Sequence, residues 1–335
     1  MPEPLSARRA RDIVQRFTDT PVLIVGDVML DHFIVGRVDR ISPEAPVPIV
    51  CFDHDTYRVG GAANVAHNVR ALGGRVQLAG VVGSDEDGRL IRKHLETLGI
   101  GHEALFDHPA RRTTKKVRVV TTRRLQVARI DYEQDQEIDA NVAESLGNAV
   151  ERLSADAKVV VVSDYMKGTI TARLMERIVA VSTRGHVPVL VDPKIPHLDY
   201  YAGADIVTPN HYEAETATHM RIRTHEDARA SARAFRERAK CRAVVLTRGE
   251  SGMCVIGNAD EAALPAAARE VADVTGAGDT VIGTLALATA AGATLMEAAV
   301  LANAAAGVTV GKFGPATLTP AELLDALMGA DPINA

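Results

Sequence analysis

Asp273-Val-Thr-Gly-Ala-Gly-Asp-Thr280 sets two glycines and a carboxylate directly ahead of an Ala-, Val- and Leu-rich stretch that reads as a helix from about Thr280. The first turn of a helix carries backbone N–H groups without intrahelical partners and the positive end of the helix dipole. Gly276, Ala277 and Gly278 can therefore admit an oxyanion to bare amides. Asp279 then sits beside that anion, where a carboxylate can take a proton from an attacking hydroxyl. Phosphoryl transfer to an alcohol requires little more, since it depends on positioning and on donors aimed at developing charge. A tight turn with an acid in the first helical turn, where carboxylates are favoured in any case, also accounts for Gly-x-Gly-Asp taken alone.

Outward from this stretch, the 335 residues are 47% hydrophobic, enough to bury a large core in one domain or two small ones. A formal net charge of −5 argues against nucleic acid and for small-molecule partners. Cys51, Cys241 and Cys254 are an odd, widely spaced set without a Cys-x-x-Cys pair, as expected for reduced thiols. The N-terminus carries no apolar signal core; Ile13, Val14 and Phe17 suggest a short amphipathic helix, so a cytoplasmic protein is expected. Residues 280–296 are uncharged but rich in Ala, Gly and Thr, and read as a buried helix pair broken near Gly292 rather than a membrane span. The 11 histidines are scattered and form no metal cluster in the sequence.

Short Val-rich runs at residues 22–25, 76–82, 159–162, 187–191, 206–207 and 243–246 read as strands covered on both faces. Helical patterns lie between them; at residues 62–72, Ala62, Val65, Ala66, Val69 and Leu72 share one face. The alternation predicts an α/β fold with a doubly wound, mainly parallel sheet. Residues 33–52 and 102–132 break the rhythm with β-branched alternation and no helix between. They predict a small β-sheet lid over one end of the main sheet, within a single domain spanning 1–335. Ligands of open α/β sheets bind outside the carboxyl ends of the strands, where such a lid excludes water. Dinucleotide oxidoreductases share the rhythm, but the first strand here leads into Gly26-Asp-Val-Met-Leu-Asp31, without Gly-x-Gly-x-x-Gly.

Asp27 and Asp31 follow that strand and are placed to accept from sugar hydroxyls, though turn chemistry also suits them. Gly60-Gly61 permits close backbone approach to a ligand, and Asn64 offers a donor and an acceptor to a polyol. Residues 111–129 hold 8 basic residues and no acid, so a second anion is expected, most simply a phosphate already on the sugar. Lys116, Arg118 and Arg129 are the candidate contacts; a charge-protected edge strand is the other reading. Asn210 and Glu213, three apart, can face a hydrated Mg²⁺ or simply cap a helix. Thr247, Gly249 and Gly252 mark a sharp turn after a strand. Lys167 and Lys194 also follow core strands, within reach of phosphates.

The octapeptide in this setting resembles the signature of the ribokinase-like carbohydrate kinases, and residues 60–66 are similar to that family's sugar-binding element. The resemblance covers about residues 22–327. It implies ATP with Mg²⁺, Thr247-x-Gly249-x-x-Gly252 on the nucleotide, Asn210-x-x-Glu213 on magnesium and phosphate, and Asn303 near adenine. It also implies a homodimer through the lid and, as in many relatives, a monovalent cation such as K⁺ near residues 273–280. Arg40-Ile-Ser-Pro-Glu-Ala-Pro-Val-Pro-Ile49, Leu30-Asp31 and Ala302-Asn-Ala-Ala-Ala-Gly-Val-Thr-Val-Gly-Lys312 resemble the D-glycero-β-D-manno-heptose 7-phosphate kinases of lipopolysaccharide-core precursor synthesis. That implies phosphorylation of the anomeric hydroxyl, with a fructose phosphate as the alternative acceptor. Many such relatives carry a fused nucleotidyltransferase domain, and that second activity is not expected here. Asp279 is expected to be the base, with its pKa depressed by the helix start.

Overall fold

Ser6 opens helix α1 (Ala7–Gln15) by accepting from the Arg9 amide at 3.3 Å, and the chain then enters the apolar strand β1 (Pro21–Gly26). The structure is a computed structural model that describes residues 5–258, 260–267 and 271–329. Strands β2 (Val28–Ile41) and β3 (Pro48–Gly61) form a long antiparallel hairpin leading into α2 (Ala62–Ala71). The chain continues through β4 (Arg75–Gly83), α3 (Glu86–Leu98), β5 (Gly101–His108), β6 (Thr114–Thr121) and β7 (Gln126–Tyr132). Next come α4 (Ala140–Ser154), β8 (Val159–Ser163), α5 (Ala172–Gly185), β9 (Val189–Asp192), β10 (Ile206–Val207), α6 (His211–Thr218) and α7 (His225–Ala239). The last elements are β11 (Ala243–Thr247), β12 (Met253–Ile256), β13 (Glu261–Leu264), α8 (Ala277–Ala290), α9 (Leu295–Val310) and α10 (Pro320–Met328).

Nine strands form the main sheet in the order β13-β12-β11-β10-β9-β8-β1-β4-β5, parallel except for the β11-β12-β13 meander. Alternate side chains of each central strand enter opposite cores, as the pleat requires. Val22, Ile24, Val159, Val161 and Val245 pack with Val65, Val69, Leu285 and Leu301 from one helical layer. Leu23, Val25, Val160, Val162 and Val244 pack with Leu146, Leu174, Ile178 and Phe235 from the other. Helices on both faces make the sheet doubly wound, as the continuous Val-rich runs predicted.

Four strands in the order β3-β2-β6-β7 form a second sheet. It springs from the carboxyl end of β1: β2 starts two residues after β1 ends, and the returning strand closes where the Ala62 amide donates to the Asp27 carbonyl at 3.0 Å. Gly61 makes that closure possible with φ +58°, and a Cβ there would lie 2.4 Å from the same carbonyl oxygen.

The lid boundaries differ from the expectation in both directions. The hairpin occupies 28–61 rather than 33–52, whereas the second insertion begins only at Thr114. Gly101–His108 is a main-sheet strand, parallel to β4 after the α3 crossover, with Ala104 and Leu105 buried. Its β-branched neighbours resemble lid strands in sequence, but the crossover helix places it in the main sheet. The expected break near Gly292 falls between α8 and α9, and α8 starts at Ala277 rather than Thr280.

Candidate active site

Asp279 lies in the first turn of α8 and is 5% exposed. Its Oδ2 accepts from Asn64 Nδ2 at 2.6 Å and its Oδ1 from the Tyr165 hydroxyl at 2.9 Å. Burial pushes its pKa up to about 6; the Asn64 and Tyr165 hydrogen bonds oppose the rise, Asp31 adds to it and Lys116 counters it. The helix start was expected to depress this value, but loss of water around the carboxylate outweighs the dipole. Gly276 caps α8 at φ +79°, and a Cβ there would stand 2.8 Å from Asn64 Nδ2. No side chain caps the helix. The Ala277 amide turns back to the Val274 carbonyl at 3.2 Å, so of the expected trio only Gly276 and Gly278, joined by Asp279, keep amides without a partner among the described residues. A Cβ on Gly278 would meet nothing within 4 Å, so this helix mouth is open where an anion would approach.

Tyr165 was not singled out as a functional side chain in the sequence, although it stands two residues beyond β8, at the carboxyl end of a central strand where such groups gather. Asp27 holds it in place. The buried Asp27 carboxylate accepts from the amides of Tyr165, Lys167 and Thr169 at 2.8, 3.0 and 3.0 Å. It therefore fastens the 164–169 loop instead of facing a sugar, and its role as a substrate contact is withdrawn. Burial and then the Asp279 charge push the Tyr165 phenol well above its ordinary pKa, keeping it a proton donor.

Asp31 is buried under the lid, ion-paired with Arg118. Gly60 leaves it room, since a Cβ there would lie 2.6 Å from Asp31 Oδ2. Arg118 also lies over the Phe33 ring, 5.4 Å from its centroid. Lys116 Nζ stands 5.5 Å from the Tyr165 ring centroid; burial lowers its pKa, partly offset by Asp31 and Asp131. Arg129, opposite Arg118 on the edge strand, is half-exposed and paired with Asp131 at 2.8 Å. Lys167 turns its ammonium to Asp135 and Glu133 at 2.7 and 3.1 Å. Of these cations, Lys116 alone faces Asp279 and Asp31 without a hydrogen-bond partner among the described residues.

On the other side of Gly278, a cavity of about 240 Å³ brings together Thr247, Gly249, Gly252, Asn303, Ala277 and Gly278. Gly249 and Gly252 hold the turn after β11 at φ +54° and +78°, and Asn303 Nδ2 donates to the Pro265 carbonyl at 2.7 Å. Asn210 and Glu213 form a reciprocal capping box on α6, with bonds of 3.0 and 2.9 Å. Glu213 also pairs with Lys194, whose Nζ lies 5.6 Å from the Tyr165 ring centroid. Burial would lower the Lys194 pKa, but Asp192 and Glu213 raise it. The Asp192 carboxylate has no hydrogen-bond partner among the described residues, and burial, with Glu213, Asp279 and Asp164 nearby, drives its pKa well up.

Residues 19–322 match the pfkB family of carbohydrate kinases. The chain belongs to that family. It is 42% identical over 321 residues to the bifunctional protein HldE of Citrifermentans bemidjiense, covering 96% of this chain and 66% of that protein. It is 39% identical over 324 residues to the bifunctional protein HldE of Trichlorobacter lovleyi, with 96% and 66% covered. This kinase thus spans about two thirds of the length of those curated relatives. Arabidopsis thaliana ribokinase complexed with ribose and ATP superposes with a TM-score of 0.71 at 20% identity, over 92% of this chain and 99% of that one. Escherichia coli phosphofructokinase-2 in complex with potassium gives 0.77 at 16% identity, over 93% and 99%. The fold is ribokinase-like, and the family match makes the chain a carbohydrate kinase.

Proposed function

We propose that this kinase transfers the γ-phosphate of ATP to the anomeric hydroxyl of D-glycero-β-D-manno-heptose 7-phosphate, giving heptose 1,7-bisphosphate for ADP-heptose and lipopolysaccharide-core synthesis. The observation that carries the reaction is the recessed Asp279 carboxylate, fixed through both oxygens next to open amides. Asp279 takes the proton of the anomeric hydroxyl as that oxygen bonds to the γ-phosphorus. The bond from that phosphorus to the β-phosphate oxygen breaks, and ADP leaves. Amides of Gly276 and Gly278 stabilise the charge on the moving group. With a pKa near 6, Asp279 is ionised at neutral pH and a better base than an ordinary aspartate.

In this reading the cavity of about 240 Å³ lined by Thr247, Gly249, Gly252 and Asn303 takes the adenosine end of ATP, with the phosphates outside it towards Gly278. Asp192 and Glu213 are hard oxygen donors suited to Mg²⁺ carried on the nucleotide, where the ion supplies charge neutralisation; the unpartnered Asp192 carboxylate fits that role. Asn210 positions Glu213, and Lys194 can pass from Glu213 to a phosphate. Asn64, Asp31, the Gly60-Gly61 backbone and Lys116 face the acceptor. Asp273 fastens residues 273–280 to the Gly314 turn, accepting from the Thr275 and Gly314 amides at 2.9 and 3.0 Å, and K⁺ at this loop is part of the reading. Exposed Ile41, Phe52, Leu125 and Ile130 on the lid favour a homodimer that covers it. No helix among the described residues is long and apolar enough to cross a membrane, and a cytoplasmic enzyme is proposed.

A panel of sugar phosphates, including heptose 7-phosphate and fructose phosphates, tests this reading with ATP, Mg²⁺ and K⁺ in an ADP-release assay. The highest kcat/KM is expected for heptose 7-phosphate. A higher value for a fructose phosphate would replace the substrate assignment, and no release with any sugar would remove the reaction.

A further inference from the structure

At the edge strand of the lid, β3, α2, α3 and the 315–317 turn line a half-open cavity of about 560 Å³. Its wall carries Arg58, His67, Lys93 and His94 and not one carboxylate. In a chain of net charge −5 such a grouping needs a cause. The lid cations are largely met by the protein's own acids: Arg118 by Asp31, Arg129 by Asp131 and Lys115 by Asp87. In the cavity, Arg58 gives one N–H to the Pro315 carbonyl at 3.2 Å, and the side chains of His67, Lys93 and His94 have no hydrogen-bond or ion-pair partner among the described residues. Burial lowers the pKa of both histidines, and Arg58 beside His67 and Lys93 beside His94 lower them further. A bound anion would relieve both repulsions.

Asn64 lines the same cavity, three residues before His67 and on the same helix face. Its Nδ2 donates to Asp279, while its Oδ1 is buried with no partner. An unpartnered buried amide oxygen calls for a donor, most simply a hydroxyl. The cavity thus begins one side chain from the base, needs a hydroxyl at that end and offers four cationic or N–H donor groups beyond it.

We propose that this cavity holds the phosphate of the phosphorylated acceptor, with Arg58, His67, Lys93 and His94 around the oxyanion and a hydroxyl of the same molecule donating to Asn64 Oδ1. The inference rests on the sugar-phosphate reading above and moves the phosphate anchor from β6 and β7, where the sequence placed it, to the β3 edge of the lid.

Lys93 is exposed and His94 half-buried on α3, so the double variant Lys93→Gln/His94→Gln retains the fold; Arg58→Gln is the second probe. In each, the kcat/KM preference for heptose 7-phosphate over unphosphorylated heptose is expected to fall about 10- to 100-fold, mainly through KM. An unchanged preference in both overturns the site, and so does a loss confined to Lys116→Gln, which returns the anchor to β6. If the wild-type protein phosphorylates no heptose, the substrate assignment fails separately. The cavity is then tested by calorimetric titration of inorganic phosphate into the nucleotide-saturated protein. The site stands if the double variant weakens phosphate binding at least about 10-fold, and it falls if the two titrations coincide.

Discussion

The Tyr165 hydroxyl donates to Asp279 Oδ1 at 2.9 Å, joining a loop at the end of β8 to the start of α8, 114 residues away. Asn64 occupies the other oxygen, so the carboxylate has one orientation. Lys116 and Lys194 both approach the ring of the same tyrosine, their ammonium groups 5.5 and 5.6 Å from its centroid. In the proposed reaction the tyrosine stands between the acceptor and nucleotide sides, and its part there is to position Asp279.

Removing that donor should weaken and displace the base together. The hydrogen bond lowers the Asp279 pKa from where burial alone would set it, so Tyr165→Phe is expected to move the acid limb of the kcat/KM profile above pH 6. kcat should fall about 10-fold, with KM for ATP little changed. A profile superimposable on wild type would show that the phenol does not govern the carboxylate.

Asp279 should also cost stability at neutral pH. An acid whose folded pKa is raised binds its proton more tightly when folded, so its contribution is complete below the unfolded value of 3.8 and lost as pH rises through about 6. Asp279→Asn is accordingly expected to be more stable than wild type at pH 8, by on the order of 3 kcal/mol, with the gap closing by pH 4. Denaturant melts at the two pH values measure this; equal gaps at both would contradict the raised pKa.

Gly278 separates binding from folding. Its absent side chain leaves open space at a helix position where alanine is favoured, so Gly278→Ala should keep the wild-type Tm or raise it. The new methyl would occupy the anion's approach, and kcat/KM for ATP should drop about 100-fold. Normal ATP kinetics in this variant would place the phosphates elsewhere.

Asp27 is expected to behave as a structural residue. Asp27→Ala leaves the amides of Tyr165, Lys167 and Thr169 unpaired and should cost about 3 kcal/mol or more. Wild-type stability with a large rise in sugar KM would instead restore it as a substrate contact.

The main sheet was legible because its strands are buried on both faces and therefore read as unbroken Val-rich runs at 159–162 and 243–246, and because helix periodicity separates them. Gly101–His108 was misplaced because a strand at the sheet edge carries polar residues on one side and looks like its lid neighbours. Asp279, Gly276 and Asn64 were legible from local chemistry: glycines before a helix and an amide beside a paired glycine. The partners of Asp27 and Asp31 were not, because nothing in the residues around a carboxylate says whether it meets a distant loop amide, as Asp27 does, or a lid arginine, as Asp31 does. Tyr165 was missed for the same reason, since its contact depends on the strapped loop that Asp27 builds. Composition counted the cations of 111–129 but could not count the acids folded against them.

The most direct measurement is the turnover of Asp279→Asn with ATP, Mg²⁺ and heptose 7-phosphate, read beside nucleotide and sugar affinities from calorimetry. The account requires kcat to fall by about 10³-fold or more while both dissociation constants stay within about threefold. A variant that turns over within tenfold of wild type would contradict the assignment of this carboxylate as the base.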